Sequence, residues 1–143
     1  IIENHAAKNK YIYEEIFIDN TFGGKDTRKK IIPVIIESLL RNEKNPIQNP
    51  ESKMNLMYLD DVIERILVSI KSSDYGSNLF INEKSIGLSS IYNFLDEYIK
   101  TKQMRTDYLK FSDNEYIESS LKIDYKNIKL SSIPNELINM LSI

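Results

Sequence analysis

The stretch Met54–Leu67, MNLMYLDDVIERIL, changes its hydrophobic spacing at two adjacent aspartates, Asp60 and Asp61. Before the aspartates the residues are mainly apolar, which is typical of a short buried strand. After them the apolar residues return at helical spacing, at Val62, Ile63, Ile66, Leu67 and Ile70. The sequence therefore predicts a strand that leads into an amphipathic helix whose apolar face is made by these five residues.

The two aspartates have a local interpretation. Asp61 is followed three residues later by Glu64, which matches a capping box at the start of a helix. We therefore predict that one aspartate caps the helix and that the other adds favourable charge at its N-terminus. A carboxylate pair for acid–base chemistry or for a metal is the alternative, although the sequence places no histidine near the pair.

Periodic segments on both sides of this stretch extend the pattern. The residues YIYEEIFIDN predict a strand over 15–19 that runs into a glycine-supported turn, NTFGG. The residues IIPVIIESLLRNEK predict a helix with Pro33 in its first turn. The apolar face of that helix is predicted to contain Ile32, Ile35, Ile36, Leu39 and Leu40.

A further strand over 78–82 and a third helix follow the opening stretch. That helix is predicted from the spacing of Leu88, Ile91, Leu95, Tyr98 and Ile99. Strands and helices thus alternate along the chain, and parallel neighbouring strands need helical crossovers. The fold class is therefore predicted to be α/β, with a small, partly parallel sheet and flanking helices.

Composition limits the classes of function. The 143 residues fit a single domain, 1–143, with 41% hydrophobic and 28% charged residues. A net charge of −2 without a long basic run argues against nucleic acid as a partner and against a membrane-binding arm. The absence of cysteine excludes disulfides and thiol chemistry and fits a reducing compartment. No apolar stretch approaches the roughly 20 residues of a membrane span, so we expect a cytoplasmic protein with no membrane partner.

Four motifs, taken in order, resemble a known family. They are IFIDNTFGGKD, RKKIIPVIIESLL, MNLMYLDDVIERIL and NLFINEKSIGLSSIYNFL, which together run over roughly 16–99. The chain resembles the C-terminal, substrate-binding half of the extended short-chain dehydrogenase/reductases, the NAD-dependent nucleotide-sugar epimerases and dehydratases. In that family a strand ends in an Asn-x-Tyr-Gly turn, an Ile-Pro helix follows, and a strand leads into an Asp-Asp-Val helix.

Two family motifs of the cofactor-binding half have no counterpart in this sequence. Its four glycines form no Gly-x-x-Gly-x-x-Gly turn, and no Tyr-x-x-x-Lys pair stands upstream of Asn20. The chain is therefore expected to be fragment-like, to lack the dinucleotide-binding half and to bind no cofactor by itself. The resemblance implies NAD or NADP for the full-length enzyme, a nucleotide sugar as substrate and a homodimer.

The resemblance also suggests substrate-binding residues around the Asn-x-Tyr-Gly turn. Asn20 stands at the Asn position, where an amide can donate to a pyrophosphate oxygen, although Asn is also common in turns for local reasons. Thr21 follows it, and Phe22 replaces the family's Tyr. Met54 stands where the family commonly has a phosphate-binding Arg, and the adjacent Lys53 points to the opposite strand face.

A cluster of cations offers another phosphate contact. It comprises Lys25, Arg28, Lys29 and Lys30, at a predicted helix start where the macrodipole disfavours positive charge. A solvated loop is the alternative interpretation. Arg105, in MRTDY, resembles the Arg of a family element that contacts the nucleotide.

These observations leave two hypotheses for the function. The first is the nucleotide-sugar-binding part of an NAD(P)-dependent epimerase, dehydratase or reductase, with no catalytic residue in this chain. The second is a non-catalytic binding or scaffold module that has the same architecture.

Overall fold

The computed structural model describes residues 2–10, 12–24, 29–71, 76–82, 84–113, 122–123 and 130–142. Its helices are α1 (Ile2–Asn9), α2 (Ile31–Leu40), α3 (Leu59–Lys71), α4 (Leu88–Thr101) and α5 (Ile133–Asn139). Its strands are β1 (Glu14–Ile18), β2 (Asn20–Phe22), β3 (Lys53–Met54), β4 (Leu56–Tyr58), β5 (Gly76–Phe80), β6 (Lys84–Gly87), β7 (Phe111–Asp113) and β8 (Lys122–Ile123). Short 3-10 turns cover Thr106–Tyr108 and Met140–Ser142.

The strands form small sheets of both kinds. One parallel sheet has the order β1-β5-β8, and β2 pairs in parallel with β4. The order β3-β6-β7 is antiparallel. The predicted α/β class with a partly parallel sheet and flanking helices is confirmed.

In the segment NTFGG the predicted glycine-supported turn lies at the two glycines, whereas Asn20–Phe22 before them form strand β2. Asn20 lies opposite Leu56 and Phe22 opposite Tyr58, and this pairing with β4 holds the segment extended. The turn comes at Gly23 and Gly24, which have positive φ angles of 103° and 66°. A Cβ atom on Gly23 would lie 2.3 Å from Cε2 of Tyr58, so this position needs glycine for its space as well as for its φ angle.

The main hydrophobic core lies where α2, α4 and α5 pack on the short strands. Its buried residues are Phe22, Ile32, Ile35, Ile36, Leu56, Ile86, Ile91, Phe94, Leu95, Leu109, Ile133 and Leu137. Pro33 is the third residue of α2, which confirms its predicted place in the first turn. Leu40 is 60% exposed because it is the last residue of α2, so its predicted place in the apolar face was wrong.

Helix α3 forms where the sequence predicts it, but of its predicted apolar face Val62 is buried and three other residues point to solvent. Ile63, Leu67 and Ile70 are 47%, 51% and 70% exposed. The side that packs against the rest of the chain buries Asp61, Val62, Arg65 and Ser69. Of its polar members, Asp61 is hydrogen-bonded to Ser131, and the Arg65 guanidinium lies 5.3 Å from the Phe80 ring centroid.

Asp61 does not cap α3, so that prediction was wrong. The helix begins at Leu59, and both aspartates lie inside its first turn, where they still place negative charge at the N-terminus. The buried Asp61 carboxylate instead accepts hydrogen bonds from the backbone N–H of Ser131 at 2.8 Å and from its hydroxyl at 2.6 Å. These two hydrogen bonds therefore connect the start of α3 to the segment that precedes α5.

A buried asparagine, Asn55, forms a second set of long-range hydrogen bonds, between the chain before α3 and the chain after β5. The Nδ2 of Asn55 donates to the carbonyl oxygens of Asn82 at 2.8 Å and Lys84 at 3.3 Å, and its Oδ1 accepts from the backbone N–H of Asn82 at 2.8 Å. Asn82 in turn donates its Nδ2 to the Leu56 carbonyl at 2.7 Å. We call this set the Asn55 clasp; it joins the start of β4 to the chain after β5.

Candidate substrate-binding site

A cavity of about 170 Å³ opens beside β2, at the start of α2. We call it the β2 cavity. Its lining residues are Asn20, Thr21, Phe22, Gly23, Lys30, Ile31, Ile32, Pro33, Met54, Leu56 and Met140. Most of this surface is apolar, and the polar groups are concentrated at the end formed by β2 and Lys30. A mainly apolar wall with a few convergent polar groups is typical of a small-molecule site.

Lys30 supplies the positive charge of the β2 cavity. Its Nζ lies 3.2 Å from Oγ1 and 3.4 Å from the carbonyl oxygen of Thr21, so the ammonium is held against β2. Lys30 directly precedes α2, and the first turn of that helix contains no acidic residue. The partial positive charge of the helix N-terminus therefore adds to that of the ammonium, an arrangement that favours an anion.

Two aromatic rings, those of Phe22 and Tyr58, pack against each other between strands β2 and β4. Phe22 is 5% exposed and packs edge-on against Tyr58, with 5.6 Å between ring centroids. Burial, and after it the carboxylate of Glu136, raise the pKa of Tyr58 above its ordinary value of 10.0. Tyr58 is therefore a neutral phenol near pH 7, and the two rings set the position of β2 relative to β4 and α5.

A second cavity, of about 330 Å³, shares Asn20 and Met54 with the first. We call it the polar cavity. Its lining residues are Asp19, Asn20, Lys53, Met54, Asn55, Ser85 and Asp113. Burial raises the pKa of Asp19 above 3.8, while the backbone N–H of Asn20 lowers it. The Nδ2 of Asn20 donates to Asp19 Oδ1 at 2.6 Å, so the Asn20 amide stands at the border between the two cavities.

The structure brings together several of the residues predicted from the sequence. Asn20, Thr21 and Phe22 line the β2 cavity, although the Phe22 ring belongs mainly to the core. Lys53 lines the polar cavity. Arg105 lines neither cavity; its guanidinium pairs with Asp107 at 2.9 Å and lies 5.3 Å from the Tyr108 ring centroid.

Two predicted contacts, Lys25 and Arg28, lie outside the described residues. Of the same basic cluster, Lys30 reaches the β2 cavity and the exposed Lys29 does not line it. The signal that identified Lys30 was its unfavourable place at a helix start. Met140 and Asp113 were missed, because nothing local in the sequence links those distant segments to β2.

Within the described ranges, no group of three or more histidine, cysteine, aspartate or glutamate side chains is placed to hold a metal ion. Among the same residues, no helix has both the length and the apolar character to cross a bilayer.

Comparison with known proteins gives one curated relative. The chain is 38% identical over 73 residues to the CDP-abequose synthase of Yersinia pseudotuberculosis, and this match covers 51% of the chain and 25% of the relative. No protein-family model matches the chain.

Solved structures match almost the whole chain. The UDP-N-acetylglucosamine 4-epimerase of Methanobrevibacter ruminantium, in complex with UDP-N-acetylmuramic acid, has a TM-score of 0.72 at 14% identity and matches 99% of this chain and 48% of its own. An NAD-dependent NDP-hexosamine 5,6-dehydratase of tunicamycin biosynthesis has 0.70 at 13% identity and matches 99% and 50%. A Bordetella bronchiseptica enzyme in complex with NAD+ has 0.64 at 10% identity and matches 94% and 46%.

These structural matches show a shared fold, and they agree with the curated relative. The chain spans about half the length of the solved structures. Proteins that process nucleotide sugars therefore share both the fold and part of the sequence of this chain.

Proposed function

We propose that this chain belongs to the extended short-chain dehydrogenase/reductase family and forms the nucleotide-sugar-binding part of an NAD(P)-dependent epimerase, dehydratase or reductase. The observation that carries the proposal is the β2 cavity, where Asn20 and Lys30 converge beside an apolar wall. In this role the two residues bind the diphosphate, and the apolar wall receives an uncharged part of the ligand.

The chemistry of the two polar residues suits a diphosphate. The Lys30 ammonium provides a full positive charge next to a helix N-terminus, and it is already oriented by Thr21. The Asn20 amide provides a neutral donor that needs no counterion. Met54, which lines the same cavity, cannot make the phosphate contact that an Arg at position 54 makes in the family. In this proposal Lys30, which directly precedes α2, makes that contact instead.

The size of the β2 cavity limits how much of the ligand it encloses. About 170 Å³ is below the roughly 300–1,000 Å³ of a complete small-molecule site. The polar cavity adjoins it at Asn20 and Met54, so a ligand with its diphosphate at Asn20 extends from one cavity into the other. The amide, carboxylate and hydroxyl groups of the polar cavity fit a sugar.

The remaining parts of the reaction are assigned to the complete enzyme. The glycines of this chain do not form a dinucleotide-binding turn, so the proposal assigns the binding of NAD or NADP to the rest of the full-length protein. NAD or NADP as cofactor, a homodimer and a cytoplasmic location stay predictions for the full-length protein.

A titration with nucleotide sugars tests the proposal. CDP-glucose and UDP-N-acetylglucosamine are titrated into the chain by calorimetry at low salt, with Lys30→Met and Asn20→Ala as variants. Loss of one charge-assisted contact weakens binding by about 10- to 100-fold, and added salt weakens it further. Lys29→Met is the matched control, because Lys29 is the neighbouring cation and does not line the cavity.

Circular dichroism verifies that each variant is folded. Equal loss of affinity in Lys29→Met and Lys30→Met would place the phosphate contact in bulk surface charge instead of the cavity. Failure of both nucleotide sugars to bind at millimolar concentration would overturn the proposal and favour the non-catalytic scaffold.

A further inference from the structure

Tyr58 connects the β2 cavity to helix α5, although its side chain lines neither cavity. The Tyr58 ring contacts two residues that do line the β2 cavity, Phe22 and Gly23. The ring centroids of Phe22 and Tyr58 are 5.6 Å apart, and the missing Cβ of Gly23 leaves the space that the Tyr58 ring occupies. The position of this ring therefore decides where the Phe22–Gly23 side of the cavity lies.

Helix α5 holds the hydroxyl end of Tyr58. The phenol donates a hydrogen bond to the carboxylate of Glu136, which also accepts one from Nδ2 of Asn139 at 3.2 Å. A tyrosine ring turns about two side-chain bonds, so attachment at its Cβ on β4 and at its hydroxyl on α5 restricts its orientation. Glu136 therefore fixes the ring that contacts Phe22 and Gly23.

The backbone of Glu136 is connected to another part of the same cavity wall. Its carbonyl oxygen accepts a hydrogen bond from the backbone N–H of Met140, the residue that follows α5. Met140 lines the β2 cavity. A movement of α5 relative to β4 would therefore displace both Met140 and the partner of the Tyr58 hydroxyl, so one residue, Glu136, is linked to two parts of the cavity wall.

We propose that Glu136 is a positioning residue of the β2 cavity, which holds Phe22 and Gly23 through the Tyr58 hydroxyl and Met140 through α5. The inference rests on the proposed function, because it takes this cavity as the ligand site. A cavity whose walls are fixed in advance binds its ligand more tightly, since less conformational freedom is lost on binding. A contribution of Glu136 to the general stability of the fold alone is the competing explanation.

Amide hydrogen exchange, followed by NMR, tests the proposal without any ligand. Glu136→Leu and Tyr58→Phe each remove the hydrogen bond between α5 and the phenol, whereas Glu136→Gln keeps an acceptor oxygen for it. Glu37→Leu is the matched control. Glu37 is an exposed glutamate on α2 that pairs with Arg41 at 2.6 Å and lines neither cavity.

We expect the amides of β2 to exchange at least about tenfold faster in Glu136→Leu and in Tyr58→Phe, because this strand then opens locally more often. The amides of Ile91 and Phe94, in the buried side of α4, should keep their exchange rates. Glu136→Gln and Glu37→Leu should exchange like the unsubstituted chain. Unchanged exchange of β2 in Glu136→Leu overturns the proposal. Equal acceleration in β2 and α4 also overturns it, since it assigns Glu136 to general stability.

Titration of the same variants with CDP-glucose and UDP-N-acetylglucosamine separates this inference from the proposed function. We expect Glu136→Leu and Tyr58→Phe each to weaken binding by about 3- to 10-fold, and the double variant to be no weaker than either, because both remove one contact. Glu136→Gln should bind like the unsubstituted chain. Binding that depends on Lys30 but not on Glu136 overturns the positioning role and leaves the proposed function in place. Faster exchange of β2 in a chain that binds neither nucleotide sugar refutes the ligand assignment and leaves the positioning role in place.

Discussion

Helices α3 and α4 have similar amphipathic sequences and opposite surroundings. In α4 the side chains of Ile91, Phe94 and Leu95 are 0% exposed and belong to the main core. In α3 the apolar stripe faces solvent, while Asp61 and Arg65 are buried. The outer side of α4 carries an ion pair between Asp96 and Lys100, as expected of a solvated surface. Hydrophobic periodicity thus identifies a helix and its apolar stripe, but it does not show whether that stripe faces the core or solvent.

The strongest test of this comparison truncates one apolar side chain in each helix. Phe94→Ala should lower the free energy of unfolding by about 3–5 kcal/mol, because it leaves a cavity in the core. Leu67→Ala should lower it by less than about 1 kcal/mol, because Leu67 is half exposed. Urea denaturation of the 143-residue chain measures both. Losses of similar size would mean that the apolar stripe of Ile63, Leu67 and Ile70 on α3 is buried in solution.

A second test concerns the polar attachment of α3. Asp61→Ala removes the acceptor for the backbone N–H and the hydroxyl of Ser131, and should destabilise the chain by about 2 kcal/mol. Asp60→Ala is the control, because Asp60 is exposed in the same turn and acts mainly through the helix dipole, worth about 0.5 kcal/mol. Chemical denaturation compares them, and equal losses would mean that the Ser131 contacts contribute no net stability.

The smallest expected effect is on the outer side of α4. The Asp96 carboxylate, by hydrogen bonding and by charge, raises the pKa of Lys100 above its ordinary value of 10.5. The pair therefore stabilises the fold below pH 10.5 and loses that contribution as the pH rises through the raised pKa. In Asp96→Asn the pKa of Lys100, followed by NMR, should fall towards its ordinary value, and high salt should reduce the difference. An unchanged pKa would show that the ion pair does not persist in solution.

Local patterns in the sequence predicted the parts of the fold that local forces decide. The spacing around Ile91 and Leu95 identified α4 and its buried side, and Pro33 marked the start of α2. The strand character of Asn20 was missed because a three-residue strand exists only through its pairing with β4. The role of Asp61 was missed because its partner, Ser131, lies 70 residues further along the chain.

The candidate site was predicted only in part, because local patterns identify some of its residues but not those that distant segments contribute. Resemblance to a family motif identified Asn20, and an unfavourable charge at a helix start identified the cluster that contains Lys30. Met140, which lines the β2 cavity, and Asp113, which lines the polar cavity, lie in segments with no local sequence signal that links them to β2. Tertiary packing, which the linear pattern does not encode locally, decides both.

The Asn55 clasp has a consequence for the kinetics of association. Its hydrogen bonds join residues 26–29 positions apart, and α3 lies inside the loop that they close. Because Asp61 is also hydrogen-bonded to Ser131, the start of α3 is held in place before another protein contacts the helix. Any protein that contacts α3 would therefore meet a preorganised surface, so little conformational entropy would be lost on binding. Such an association should proceed as rigid-body docking, at about 10⁵–10⁷ M⁻¹s⁻¹, without a slow folding step.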